Sequence, residues 1–264
     1  MSALLSVQGL TVTFPTTRGP VDVVRDVSFT VDRNRTLGIV GESGSGKSMT
    51  SLAVMGLLPR GGQATGAIRL GGTDLLGRSD RELRRVRGER IAMVFQDPLS
   101  SLNPYYSVGL QITEAYQAHR GGSRRAARRV ALDALARVRI PDPQRRIDQY
   151  PHEFSGGMRQ RIMIAMALCC EPELLICDEP TTALDVTIQA QILELLADLQ
   201  AETGTGMIFI THDLAVVSTV AQDVLVLKDG VQVEAGTAEE IFSAPRHPYT
   251  RALLDAVPRI EELA

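Results

Sequence analysis

Cysteine is scarce in this sequence, and long apolar runs are missing from it. Only Cys169, Cys170 and Cys177 occur in 264 residues, all in apolar surroundings and without metal-ligand spacing. Neither a disulfide framework nor a zinc site is therefore expected, and the three read as small buried hydrophobes of a reducing compartment. No apolar stretch approaches the roughly 20 residues that cross a bilayer. The opening MSALLSVQGL has neither a basic n-region nor a cleavage site, so no signal peptide is expected and the chain is assigned to the cytoplasm. An excess of positive charge is lacking too. With 28 Lys and Arg against 31 Asp and Glu the net charge is -3, which argues against a general polyanion binder, and no nucleic-acid partner is expected. Internal repeats and low-complexity segments are absent. The 44% hydrophobic and 22% charged residues are those of a folded chain rather than a disordered one. The length suits one large domain or a core with a subdomain.

The hydrophobic pattern changes along the chain. Leu4 to Phe14 and Val23 to Val31 alternate like strands, with a turn-rich piece from Pro15 to Pro20 between them. Thr36 to Val40 is a compact apolar run ending in glycine, followed by helical spacing from Lys47 to Leu58 that Pro59, Gly61 and Gly62 stop. Ile91 to Phe95 is another buried strand. After Pro98 the β-like runs thin out, and Arg124 to Arg139 reads as an amphipathic helix with Val130, Leu132, Leu135 and Val138 opposite a basic face. Helix (Ser155 to Cys170), strand (Leu174 to Cys177), helix (Val186 to Thr203) and strands Met207 to Ile210 and Val224 to Leu227 follow. In the third of these, Ile188, Ile192, Leu195 and Leu199 share a face. Such alternation implies an α/β protein with a largely parallel sheet covered by helices, interrupted by a helical insertion. The tail from Thr237 reads as two short helices separated by Pro245 and Pro248.

Gly41-Glu42-Ser43-Gly44-Ser45-Gly46-Lys47-Ser48 fits the phosphate-loop pattern G-x-x-x-x-G-K-[ST], and it stands between a predicted strand and a predicted helix, as that pattern requires. Glycines let the backbone turn its N–H groups inward, and the helix N-terminus adds partial positive charge. Lys47 is expected to reach the β- and γ-phosphates, Ser48 to bind Mg²⁺, and Met49 to complete the nucleotide-binding stretch. The strand Leu174-Leu175-Ile176-Cys177 ends in Asp178-Glu179. Unpaired carboxylates at a buried strand end are costly, and a divalent metal resolves the conflict. Asp178 would hold the metal beside Ser48, and Glu179 would orient or deprotonate the attacking water.

Phe154-Ser155-Gly156-Gly157-Met158 opens a helix shortly before that strand, and here the sequence resembles the LSGGQ signature of ABC transporter ATPases, with Phe154 and Met158 in place of the usual Leu and Gln. The resemblance implies a P-loop NTPase core of ABC-ATPase type, a mostly parallel sheet plus an antiparallel β part. Residues 1–97 and 156–264 would form that core, and 98–155 a helical signature subdomain. It further implies that Ser155, Gly156 and Gly157 touch ATP held by the other subunit of a head-to-tail dimer. Gln96, in Val94-Phe95-Gln96-Asp97, matches the Q-loop glutamine that senses Mg²⁺ or water. Ala183-Leu184-Asp185 matches the D-loop, and His212, in Ile210-Thr211-His212-Asp213, the switch histidine. Phe14 stands where a ring commonly stacks on adenine; a strand-end core residue is the other reading.

Phe95-Gln96-Asp97-Pro98-Leu99-Ser100-Ser101-Leu102-Asn103-Pro104, Ser155-Gly156-Gly157-Met158-Arg159-Gln160-Arg161 and the tail His247-Pro248-Tyr249-Thr250 look like the importer branch for oligopeptides, dipeptides and nickel. Within it the chain is similar to the first of two ATPases. The resemblance implies ATP and Mg²⁺, two membrane-spanning permease subunits, and a second related ATPase or another copy of this chain. An extracytoplasmic binding protein would act indirectly, and the chain would lie peripherally on the cytoplasmic face of the inner membrane. Peptide members commonly continue into a cysteine-bearing extension, whereas this sequence ends at Ala264; nickel or metal-chelate uptake is the alternative cargo. A soluble ABC-type ATPase outside transport is the remote one. The arginines at 78, 81, 84, 85 and 87 and those from 124 to 129 read as solvated helix faces, with contact to anionic lipid or the membrane partner as the other reading.

Overall fold

The computed structural model describes residues 3–182 and 184–256, apart from the side chain of Leu99. In chain order the elements are β1 (Leu5–Thr16), β2 (Gly19–Val31), β3 (Thr36–Val40), α1 (Lys47–Met55), β4 (Gln63–Leu70), β5 (Thr73–Asp74), α2 (Asp80–Val86), β6 (Ile91–Val94), α3 (Pro98–Ser101), α4 (Val108–Arg120), α5 (Arg124–Arg137), α6 (Pro143–Arg146), α7 (Gly156–Leu168), β7 (Leu174–Asp178), α8 (Val186–Thr203), β8 (Gly206–Thr211), α9 (Leu214–Val220), β9 (Asp223–Lys228), β10 (Val231–Thr237), α10 (Ala238–Ser243) and α11 (Pro248–Asp255). They fall into two compact units, Met1–Leu83 with Gly206–Ala264, and Arg84–Thr205.

In the first unit the strands run β5-β4-β1-β2-β10-β9-β3-β8. The half containing β1 is antiparallel, with Leu5 opposite Val31 on β2 and Leu70 on β4. Its alternating burial follows the alternating sequence. The other half is parallel where β3 lies between β8 and β9. Every residue of β3 and β8 is buried, which is why these strands read as continuous apolar runs. Gly38 is required there by space. A Cβ on it would stand 2.5 Å from Cγ1 of Val217, so its absence lets α9 lie directly on β3.

The stretch 15–20 departs from expectation. Pairing continues through Pro15↔Pro20 to Thr16↔Gly19, leaving a two-residue turn. The pair flanking such a turn exchanges the hydrogen bonds and the next pair does not, so both prolines occupy a place where no ladder donor is needed. Thr16 closes the turn by donating from Oγ1 to the Gly19 carbonyl at 2.7 Å.

In the second unit β6 and β7 pair in parallel, Ile91 with Leu174 through Val94 with Cys177. The helices α4, α5, α7 and α8 each begin at a side-chain cap, supplied by Ser107, Ser123, Ser155 and Asp185. The buried face of α5 differs in detail from the sequence reading. Ala127, Ala131, Ala134 and Leu135 are its buried residues, while Val130 and Leu132 are only half covered. Small side chains at i, i+4 and i+7 allow a close helix–helix approach, so the packing centre is an alanine stripe rather than the largest apolar residues.

Candidate nucleotide site

The phosphate loop leaves the end of β3 at Gly41 and enters α1 at Lys47. Gly41, Gly44 and Gly46 have φ of 151°, 81° and 97°, a path that side-chain-bearing residues rarely follow. At Gly41 space imposes the same choice, since a Cβ would stand 2.1 Å from the Leu227 carbonyl oxygen. The Lys47 amine is buried and donates to the carbonyls of Gly41 at 2.7 Å and Glu42 at 2.9 Å. Thus the loop curls around its own lysine. The Ser45 hydroxyl, on a residue only 4% exposed, finds no hydrogen-bond partner among the described residues. No described side chain caps α1, whose N-cap is Gly46. An orphaned buried hydroxyl beside an uncapped helix start suits a phosphate, which would satisfy both. Glu42, Ser43 and Gly44 are exposed and Ser48 and Met49 half-buried.

The turn Lys228 to Gly230 supports the loop from one side, with Gly230 N–H donating to the Ser45 carbonyl at 3.2 Å. A Cβ on Gly46 would come within 2.9 Å of the Val23 carbonyl oxygen. From another direction the Tyr249 hydroxyl accepts the Glu42 N–H at 3.1 Å. The sequence marked Tyr249 only as part of the tail motif. An Asp-Gly turn signal was readable at Asp229-Gly230, but its place against the loop depends on sheet order.

In the first unit Phe14 is half-buried on β1 opposite Val21, and its ring lies so close to Gly62 that a Cβ there would meet it at 2.7 Å. His212 is exposed just past the end of β8, before Asp213, which caps α9 by accepting from Ala215 N–H at 2.8 Å.

The second unit brings together Gln96 and Glu179, the residue after β7. Gln96 Nε2 donates to Glu179 Oε2 at 3.2 Å, and Thr182 Oγ1 donates to the same oxygen at 2.9 Å. Glu179 has φ of 48°, a left-handed conformation unusual for glutamate. Asp178 is the last residue of β7 and is half-buried. Cys177 before it is fully buried, which pushes its thiol up and keeps it neutral. The signature segment caps α7: Ser155 Oγ accepts from Met158 N–H at 3.4 Å. Gly157 is packed against α8, where a Cβ would stand 2.5 Å from Cγ2 of Ile188. Phe154 is 3% exposed, so the residue that replaces the usual leucine is a core side chain. Asp185 caps α8 by accepting from Ile188 N–H at 3.0 Å, and Leu184 is half-buried; Ala183 lies outside the described residues. His152 stacks on Tyr150 at 5.8 Å between ring centres.

Among the described residues no helix is long and apolar enough to cross a membrane. Residues 24–182 match the family model described as ABC transporter, and residues 233–264 match that for the C-terminal region of oligopeptide/dipeptide transporters. The oligopeptide transport ATP-binding protein OppD of Bacillus subtilis (strain 168) is 54% identical over 263 residues, covering 99% of this chain and 74% of the relative. The dipeptide transport ATP-binding protein DppD of Escherichia coli (strain K12) is 51% identical over 261 residues, 98% of this chain and 80% of the relative. Among solved structures, the dimeric post-hydrolysis state of the ATP-binding cassette MJ0796 bound to ADP and Pi aligns with a TM-score of 0.77 at 26% identity, covering 89% of this chain and 98% of that one. The cbiO1 chain from Clostridium perfringens, part of the ABC transporter complex cbiONQ, gives 0.80 at 27% identity, covering 100% and 99%. The phosphate loop, the Glu179 cluster and the Ser155-capped helix all fall within residues 24–182, which the ABC transporter model matches. The chain belongs to the ABC transporter family.

Proposed function

We propose that this chain is the ATP-binding and ATP-hydrolysing subunit of an importer for oligopeptides or dipeptides, working beneath separate membrane-spanning subunits. The observation that carries the reading is the phosphate loop, with its lysine drawn into a ring of positive-φ glycines beside a buried hydroxyl that has no partner among the described residues. The tail match and the relatives' names support the peptide cargo. In this reading the stretch Gly41 to Met49 binds phosphate through the Lys47 amine and through loop N–H groups other than that of Glu42, which Tyr249 takes, and Phe14 stacks on the base. Residues 1–97 with 156–264 serve as the nucleotide-binding part, and 98–155 as the helical part.

Ser48, Asp178 and Gln96 would hold Mg²⁺. No three His, Cys, Asp or Glu side chains cluster as a preformed metal cage among the described residues. Mg²⁺ does not need one, because it is commonly held by one or two protein oxygens together with substrate phosphates. When bound, the ion neutralises charge that develops on the transferring phosphoryl group. Glu179 orients the attacking water through the carboxylate that Thr182 and Gln96 fix. His212 acts near the γ-phosphate. Ser155, Gly156 and Gly157 present a helix N-terminus to nucleotide bound by a partner ATPase, a second copy or a related chain, and Asp185 lies at that seam. The chain would sit peripherally at the cytoplasmic face, with two permease subunits as direct partners and a binding protein as an indirect one.

Two substitutions test the assignment. Lys47→Ala should abolish ATP binding. Glu179→Gln should keep binding within a few-fold and slow hydrolysis by about 10²- to 10⁴-fold, the range for loss of a general base. Wild-type turnover by Glu179→Gln would overturn the role given to that carboxylate. Co-purification from native membranes in mild detergent should recover two multi-spanning proteins, and recovery of soluble partners alone would overturn the transport reading.

A further inference from the structure

The tail is fastened to the phosphate loop at one peptide plane. The peptide joining Gly41 to Glu42 presents its carbonyl to the Lys47 amine at 2.7 Å and its N–H to the Tyr249 hydroxyl at 3.1 Å. The two bonds therefore grip the same rigid unit from opposite edges. Tyr249 is itself held on several sides. It is 8% exposed and shares an apolar cluster with Val40, the residue before Gly41, and with Leu214 of α9. The Lys228 amine lies 4.7 Å from its ring centre. Its N–H donates to Nδ1 of His247, the cap of α11, at 3.1 Å. Glu234 of β10 accepts from the N–H groups of Arg246 at 2.7 Å and His247 at 3.1 Å, which fixes the start of that helix. Burial pushes the Tyr249 phenol up, so it stays a neutral hydroxyl at neutral pH.

We propose that Tyr249 is a positioning residue for nucleotide: its hydroxyl sets the Gly41–Glu42 peptide plane, and that plane sets where the Lys47 amine rests. The inference builds on the ATP-binding reading above. Without the hydroxyl the N–H loses its acceptor, the plane is held at one edge only, by Lys47, and the carbonyl and the amine can shift together. The phosphate-binding shape is then one of several loop conformers, and affinity falls by the fraction of time the loop spends in the others. The tail motif, on this account, is part of the nucleotide site although it makes no contact with nucleotide.

The test is Tyr249→Phe in the full chain, which keeps the ring, its packing and the Lys228 contact. ATP affinity should weaken about tenfold, with KM rising and kcat little changed, because ground state and transition state lose the same support. Amide hydrogen exchange at Glu42 should accelerate in the nucleotide-free protein. Leu253→Ala removes a partly buried member of the same apolar cluster and serves as the packing control. It should lower Tm while leaving ATP affinity within about twofold of wild type. Wild-type affinity and wild-type Glu42 exchange in Tyr249→Phe would overturn the proposal. An equal affinity loss in Leu253→Ala would overturn it too, reducing the tail to general packing. Failure of the unmodified chain to bind ATP would instead remove the ATP reading and this role with it.

Discussion

Two glycine-rich helix starts, one in each compact unit, solve similar problems by different means. At the phosphate loop the glycines are demanded by backbone angle, with φ of 151°, 81° and 97° at Gly41, Gly44 and Gly46. At the signature, Gly156 and Gly157 are not among the positive-φ residues, and Gly157 is demanded by room alone, because Ile188 lies where its Cβ would go. The helix ends differ in parallel. Ser155 caps α7 with its own side chain, whereas among the described residues no side chain caps α1. A start that caps itself is complete before any ligand arrives. One that lacks a cap gains a partner for its first turn only when an anion binds, which suits the loop that must grip phosphate.

Substitutions can break this comparison at graded cost. Gly41→Ala should be the most damaging, since the new methyl meets both an unfavourable φ and the immovable Leu227 carbonyl oxygen. Loss of about 3 kcal/mol or more is expected by chemical denaturation, with ATP binding abolished. Gly157→Ala should cost about 1–3 kcal/mol, and Ile188→Ala in the same chain should recover part of it. Purely additive losses would mean the clash with Ile188 is not the reason for glycine there. Gly156→Ala should be smallest. Among the described residues its Cβ would meet nothing closer than Leu184 Cδ2 at 3.9 Å, so stability should stay level or rise by up to about 1 kcal/mol. A loss matching that of Gly157→Ala would break the distinction that space draws between the two signature glycines.

What could be read from the sequence was whatever rests on local pattern. The phosphate loop, the acid-ended strand and the signature each occupy contiguous residues, and the strand-to-helix context came from hydrophobic period alone. β4 and β10 escaped that reading because they are half-exposed and short of apolar residues. The alanine stripe of α5 was obscured because period marks a face without saying which side chains end up closest to the neighbour. The Tyr249–Glu42 bond was out of reach in a different way. It joins residues 207 apart in sequence, and no periodicity connects a tail helix to a loop across such a distance. Thr182 was missed as a support of Glu179 for the converse reason: three residues away, it reads as an ordinary turn threonine until the backbone shows the left-handed bend that brings its hydroxyl back.

That bend has an evolutionary consequence. A glutamate at φ 48° sits in a region that glycine enters freely and asparagine or aspartate far more readily. Glycine at position 179 would ease that bend but would also forfeit the bonds that the carboxylate accepts from Gln96 and Thr182. A library of variants sorted only for heat resistance, in which nothing rewards hydrolysis, can admit glycine, asparagine or aspartate here and lose ATP turnover with them.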